Sequence, residues 1–251
     1  MVLRPLDVQT PNRQPGPAWE AVERTQKCSS RDWWLISQPD HASLAGDLAA
    51  RISWENIPSL DPEILEAIRL HDEGWAEFDR MPLSRAGRPL SFLDFQPADF
   101  LKAWRISINR AEESSAIGSL LVSSHFRRLG EFRLRLSADA ASDIALVDDF
   151  LRAEKQRESR LTAAQGRSGQ EIQILVDVLQ FCDLLSLYLC SGSREEVEFP
   201  QIFQGQQVRA HYEDGLYRTH PGIFGGGASL GVTARKYSSC DRSSTISILL
   251  G

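Results

Sequence analysis

The chain has no close cysteine pair. Its four cysteines, Cys28, Cys182, Cys190 and Cys240, form no CxxC and no other zinc-type or redox spacing. Cys182 and Cys190 sit in an apolar run, where a thiol behaves as a small hydrophobe. The reading is of reduced thiols in a cytoplasmic protein. A basic excess is missing too: the net charge is -6, which argues against the positive field of a nucleic-acid binder. A small anionic substrate still fits, because a local metal and a few arginines outweigh a global charge. No run reaches the roughly 18 apolar residues of a membrane span. The opening stretch MVLRPLDVQTPNRQPGP lacks the apolar segment of a secretory signal. Neither nucleic acid nor membrane is expected as a partner. GGGAS at 225–229 is not followed by GK[ST], so it reads as a loop rather than a phosphate cradle.

What is present is ordinary globular composition: 251 residues, 42% hydrophobic and 25% charged. That suffices for one large domain with a small appendage. Residues 1–30 are polar and hold Pro5, Pro11, Pro15 and Pro17, which predicts a flexible arm with a short helix over Trp19 to Thr25. Residues 31–191 read as helical. One helix starts near Asp40, a plausible N-cap, and carries His41, Ala45, Leu48 and Ile52 on one stripe. The next starts with Asp61 as cap and Pro62 in the first turn, puts Ile64, Ile68 and His71 on one face, and loosens at Gly74. After a functional-length loop over 79–97, helices follow over about 97–112, 114–129, 140–165 and 170–190. Residues 192–251 change character and predict a small β-rich segment. Val208, Ala210 and Tyr212 alternate ahead of a hairpin signal at Asp214-Gly215, and LGVTARKY and STISILL suit two further short strands.

The residue that points to chemistry is Asp183, alone in VDVLQFCDLLSLYLC. Helical spacing puts it on a stripe with Val176, Leu179 and Leu187. A carboxylate there is costly unless it is paired, hydrogen-bonded or bound to metal. His41, the doublet His71-Asp72, and His125 each lie on or beside the apolar stripe of a separate helix. Histidine and aspartate together suit Mn, Fe, Zn, Ni or Co, and a metal so held acidifies water and polarises a phosphoryl oxygen. The competing reading pairs Asp183 with a buried Arg105 or Arg128 as a structural ion pair. His125 could instead belong to a polar network with Ser123, Ser124 and Arg127. Glu73 is a candidate general acid/base, or a solvated helix-end glutamate. Arg88, Arg127 and Arg128 are candidate phosphate clamps, or a solvated face. Trp75 and Trp104 read as core, and His211 and His220 carry no assigned role.

The stretches QPDHASLAGDLA, HDEGW, GRPLSF, SSHFRRL and CDLLSLYLC, in that order, resemble the bacterial DUF3891 family of uncharacterised proteins over residues 33–190. That family implies no settled activity. The order His, His-Asp, His, Asp also resembles the HD-domain superfamily of helical metal-dependent phosphohydrolases. This second resemblance implies His41 as first ligand, His71 and Asp72 as the doublet and Asp183 as last ligand. It makes His125 an additional ligand or a substrate-facing group. The further histidine often found between the fourth and fifth motifs has no counterpart between His125 and Asp183. The expected fold is therefore mainly α, an HD-domain-like bundle of about six helices with a small β-rich C-terminal appendage. The expected function is divalent-metal-dependent hydrolysis of a small phosphorylated metabolite or nucleotide. The alternatives are an HD-type di-iron oxygenase and a non-catalytic helical ligand-binding or scaffold protein.

Overall fold

A helix that is apolar on most of its faces needs cover on most of them, and residues 169–191 are such a helix, with Gln173, Asp177 and Gln180 on its one polar stripe. The computed structural model describes residues 1–7, 14–54, 57–136, 140–239 and 243–251. Cys240 lies outside them. In chain order the elements begin with strand β1 (Val2–Pro5), β2 (Gly16–Pro17), helix α1 (Ala18–Lys27), β3 (Trp33–Ile36) and α2 (Gln38–Ala49). Then come α3 (Pro62–Leu70), α4 (Ala76–Arg80), β4 (Ser84–Arg85), β5 (Arg88–Pro89), α5 (Pro97–Ser114), α6 (Ala116–Leu136), α7 (Ala141–Ala164) and α8 (Gly169–Ser191). Five strands finish the chain: β6 (Val197–Phe203), β7 (Gln206–Glu213), β8 (Leu216–His220), β9 (Ala228–Lys236) and β10 (Ser243–Leu250).

The start of α8 is a capping box. The Ser168 hydroxyl accepts from the Glu171 amide at 3.2 Å, and the Glu171 carboxylate accepts from the Ser168 amide at 2.7 Å. Its end is Gly192, in the left-handed conformation at φ 71°. Between them nearly every side chain from Leu175 to Cys190 is buried. The helix is long and apolar enough to cross a membrane by length and composition, yet 83% of its apolar window is buried inside the protein. Each leucine covered this way contributes about 1.5–3 kcal/mol. One side of the cover is helical, from α2 and α6. The other is a sheet: Phe181 meets Phe199 at 5.0 Å and Phe203 at 5.7 Å, and Tyr188 meets Tyr217 at 5.6 Å.

That sheet corrects the expected architecture. The protein is not an all-α bundle with a small appendage: it is 55% helix and 23% strand, with one curled, half-barrel sheet of eight strands. The strand order is β1-β3-β9-β10-β8-β7-β6-β2. The five C-terminal strands occupy the middle, and both edges come from the first 36 residues. β1 pairs antiparallel with β3, Val2 opposite Ile36, and β3 pairs antiparallel with β9, Trp34 opposite Lys236. At the far edge β2 runs parallel to β6, Gly16 opposite Val197. So parts of the segment expected as a loose arm are built in: Met1, Val2 and Leu3 are buried, and α1 buries Ala18, Ala21 and Val22. The local pattern hid this because the three N-terminal strands have only four, two and four residues, and β2 and β3 join strands about 180–200 residues away.

The hairpin expected at Asp214-Gly215 is present. β7 and β8 pair with Tyr212 opposite Tyr217, and the turn residues have φ 51° and 84°, the positive values a two-residue hairpin needs. LGVTARKY and STISILL fall in β9 and β10, a long antiparallel pair from Ser243–Arg235 to Leu250–Ala228. In the helical layer, α2 is capped by Ser37 rather than by Asp40: the Ser37 hydroxyl accepts from the Asp40 amide at 3.1 Å. Asp61 and Pro62 do start α3, and the stretch over 79–97 holds the short β4–β5 hairpin.

Candidate metal centre

Four ligand-type side chains expected from the sequence converge. His41 comes from the first turn of α2, His71 caps the end of α3, Asp72 follows it, and Asp183 comes from the middle of α8. One nitrogen or oxygen from each of the four lies within 4.8 Å of the others, and all four residues are buried. Adjacent residues on a helix point about 100° apart, so the doublet needs a backbone break. It has one: α3 ends at Leu70, and Asp72 leaves helical geometry at φ -117°, ψ 18°. Gly74 then presses this turn onto α5. Its amide donates to the Ser107 hydroxyl at 2.9 Å, and a Cβ there would lie 2.0 Å from the Ala103 carbonyl oxygen.

The hydrogen-bond geometry shows which atoms face the centre. His71 Nδ1 lies 2.7 Å from the Ile68 carbonyl. A carbonyl only accepts, so Nδ1 carries the hydrogen and Nε2 faces inward. Nε2 is 3.3 Å from Asp183 Oδ1 and 3.6 Å from Asp72 Oδ2. His41 repeats the pattern: Nε2 is 2.8 Å from Asp72 Oδ2, while Nδ1 is 2.9 Å from the Ser186 hydroxyl and 3.9 Å from Asp183 Oδ1. An imidazole that anchors Nδ1 in the protein and shows Nε2 to carboxylates is arranged as metal-binding histidines are.

Charge supports the same fit. Among the described residues the ion pairs of Asp72 and Asp183 run to histidines, with no lysine or arginine in reach. Two buried carboxylates therefore face imidazoles alone, and something positive must balance them. In the protein by itself that charge is a proton. Burial disfavours the His71 cation, but the Asp72 charge, the Asp183 hydrogen bond and the Asp183 charge outweigh it and raise its pKa to about 9. Burial likewise pushes the Asp183 pKa up, and the His71 hydrogen bond and the neighbouring histidines more than reverse this, holding it below the usual carboxylate range. A divalent cation on two imidazole nitrogens and two carboxylate oxygens answers the same need with an ordinary donor set.

His125 stands beside this group rather than in it. Its Nε2 is 3.7 Å from Asp183 Oδ2, its ring packs edge-on against His71 at 5.3 Å, and its buried Nδ1 has no hydrogen-bond partner among the described residues. Burial lowers its pKa to about 4, partly offset by Asp183 and reinforced by His71. The polar network expected around it forms elsewhere: Ser123 donates to Glu154, and Arg127 pairs with Glu158 and Glu131.

The remaining candidates go to other tasks. Arg88 binds Asp94 at 3.1 Å and the Gln26 carbonyl, over the Trp33 ring. Arg128 holds Asp177, Gln180 and Gln173, and Arg105 lies over the Phe150 ring. None of these arginines sits on Asp183, so the structural ion pair is not what keeps that carboxylate. Arg127 lines a surface groove of about 550 Å³ on α6 and α7 that contains none of the four ligands. Glu73 opens a short 3-10 turn, half-buried, and is not part of the convergent group. Trp75 and Trp104 are core residues, as expected. One contributor was missed: Ser186, the only hydroxyl in the run from Val176 to Leu187, three residues after Asp183. A polar side chain one helical turn from the lone aspartate was the signal.

The chain belongs to the DUF3891 family: the family profile, described as Protein of unknown function (DUF3891), matches residues 26–235. The match extends past the motif-bearing helices through β6, β7 and β8 and into β9, while β1, β2 and β10 lie outside it. No curated protein and no solved structure matches the chain.

Proposed function

We propose that this DUF3891 protein is a divalent-metal-dependent hydrolase that acts on a phosphoester of a small metabolite or nucleotide. The observation that carries the metal is the pair of inward-facing Nε2 atoms, on His41 and His71, set against Asp72 and Asp183 in a buried group with no lysine or arginine among the described residues paired to it. The reaction class rests on the order of these ligands along the chain, similar to that of the HD-domain phosphohydrolases. That is an analogy of ligand order, carried here by a helical layer backed by a sheet. A bound divalent ion supplies Lewis-acid activation of water and of a phosphoryl oxygen.

The chain's own residues do the rest. His41, His71, Asp72 and Asp183 hold the ion and fix its charge environment. His125, neutral and next to Asp183, has a free nitrogen for a proton or a polar ligand atom. The three arginines expected to grip the phosphate are committed to protein groups, so in this reading phosphate recognition falls to the centre and His125.

A second reading is favoured by one observation. The three histidines are 0–1% exposed, and Asp72 and Asp183 only 7% and 8%. A centre this closed also suits a metal that organises the helical layer without turning over substrate. Metal content of purified wild type beside His71→Ala, followed by a phosphoester panel on the loaded protein, separates the two. Zinc, manganese, nickel or cobalt near one per chain, lost in the variant, with hydrolysis that disappears in Asp72→Ala, is the expected result. Metal without hydrolysis selects the organising role. Stoichiometric iron with oxygen uptake selects an oxygenase. Hydrolysis that survives Asp72→Ala, or no metal after reloading, overturns the proposal.

A further inference from the structure

Ser186 is buried in α8 with a hydroxyl that makes two contacts. It lies 2.8 Å from the carbonyl oxygen of Asp183, one turn back, and 2.9 Å from His41 Nδ1. A serine hydroxyl has one hydrogen to donate, and either contact would accept it. Only one of the two arrangements is compatible with both contacts. The Asp183 carbonyl has no hydrogen, so it meets the hydroxyl oxygen at 2.8 Å only by accepting. The Ser186 hydrogen is therefore used there, and the oxygen is left to accept. His41 Nδ1 must then be the donor, which leaves Nε2 as the atom for the metal; without metal, a hydrogen on Nε2 closes its 2.8 Å contact with Asp72 Oδ2.

We infer that Ser186 is a positioning residue that locks His41 into its Nδ1–H tautomer and so presents Nε2 to the metal. It rests on the metal reading above and adds the part of the protein that makes it work. His71 does not need such a device, because a backbone carbonyl can only accept. Among the described residues the His41 ring is hydrogen-bonded to no carbonyl, and Ser186 acquires the acceptor role from its second bond. The same hydroxyl also joins two ligands: it takes its hydrogen bond from the α2 ligand and gives one to the backbone of the α8 ligand. Burial matters here, because Ser186 and His41 are both fully excluded from solvent and water does not substitute freely for the lost acceptor. Partners of this kind typically change metal affinity by about 10–100-fold.

The test uses the full chain as wild type, Ser186→Ala and Ser186→Thr. Histidine nitrogen NMR on the metal-free proteins reads the His41 tautomer, and chelator competition with cobalt(II) or zinc(II) reads affinity, with helix content by circular dichroism as a folding control. Wild type should show His41 protonated at Nδ1. Ser186→Ala should lose that single tautomer and bind metal about 10–100-fold more weakly at unchanged stoichiometry. Ser186→Thr, which keeps the hydroxyl, should recover both to within about threefold, a rescue that a packing role alone would not give. Metal uptake by wild type with Ser186→Ala unchanged in tautomer and affinity overturns the inference and leaves the metal reading standing. Absence of uptake by wild type overturns both, and the tautomer signal then reports only a local hydrogen bond. A His41 with no hydrogen at Nδ1 in wild type overturns the inference directly.

Discussion

Two polar regions share helices α6 and α8, and they balance charge in opposite ways. On the outside, arginines and carboxylates find each other. Arg127 of α6 holds Glu131 and Glu158, and Arg128 of α6 holds Asp177 of α8. Inside, across the same helices, Asp183 and Asp72 face only imidazoles. The outer set is complete as it stands. The inner set is one cation short, and protons on its histidines are what the protein itself supplies. The contrast shows that arginine was available to neutralise these helices and that the centre excludes it, which is how a site built for an external cation differs from a buried ion pair.

The largest expected effect comes from removing an inner carboxylate. Asp183→Ala leaves His71 with half its partners, so metal uptake should fall at least 100-fold and the metal-free protein should lose about 3–5 kcal/mol in urea unfolding. Asp183→Asn keeps the size without the charge and should lose uptake with a smaller stability change. Uptake that persists in both would place the metal elsewhere.

Next in size is the pH dependence. The His71 pKa is raised from its ordinary value to about 9 in the folded protein, so folding gains from its proton. That gain is complete below about pH 6.5 and disappears as pH rises through 9, worth about 3 kcal/mol. In chelator, then, stability should decline over this window. Metal displaces the proton, so its affinity should rise with pH over the same range, and loaded protein should show no such decline. The outer pairs are silent here, since arginine and carboxylate keep their charges throughout. A flat profile in chelator would mean that the centre carries no proton and that its charge is balanced some other way.

The smallest effect belongs to the shell. Arg127→Ala breaks two partly exposed pairs and should cost no more than about 1 kcal/mol, with metal stoichiometry unchanged. A clear loss of uptake in Arg127→Ala would join the two regions into one site.

Local pattern reached far into this molecule where the information was local. Asp183 in an apolar run, His41 on a stripe, and Asp61-Pro62 ahead of Ile64, Ile68 and His71 are periodicities of a few residues, and the helices and their inward faces follow from them. The turn at Asp214-Gly215 was readable for the same reason. The roles of Arg88, Arg127 and Arg128 were not, because a cation's partner is chosen in three dimensions: Glu158 is 31 residues from Arg127, and Asp177 is 49 from Arg128. Ser186 was visible as a polar residue, but its function exists only once α2 lies against α8.

The fold class divides along the same line. That α8 is apolar on most of its faces could be read from residues 169–191, and such a helix demands two covers. What supplies the second cover could not, because a strand is specified mainly by its neighbours, and β2 and β3 find theirs in β6 and β9, far along the chain. Period and capping act within a helical turn and are written in adjacent residues. Sheet order, charge partners and the tautomer of His41 depend on contacts between residues far apart in sequence, and those contacts exist only in the folded protein.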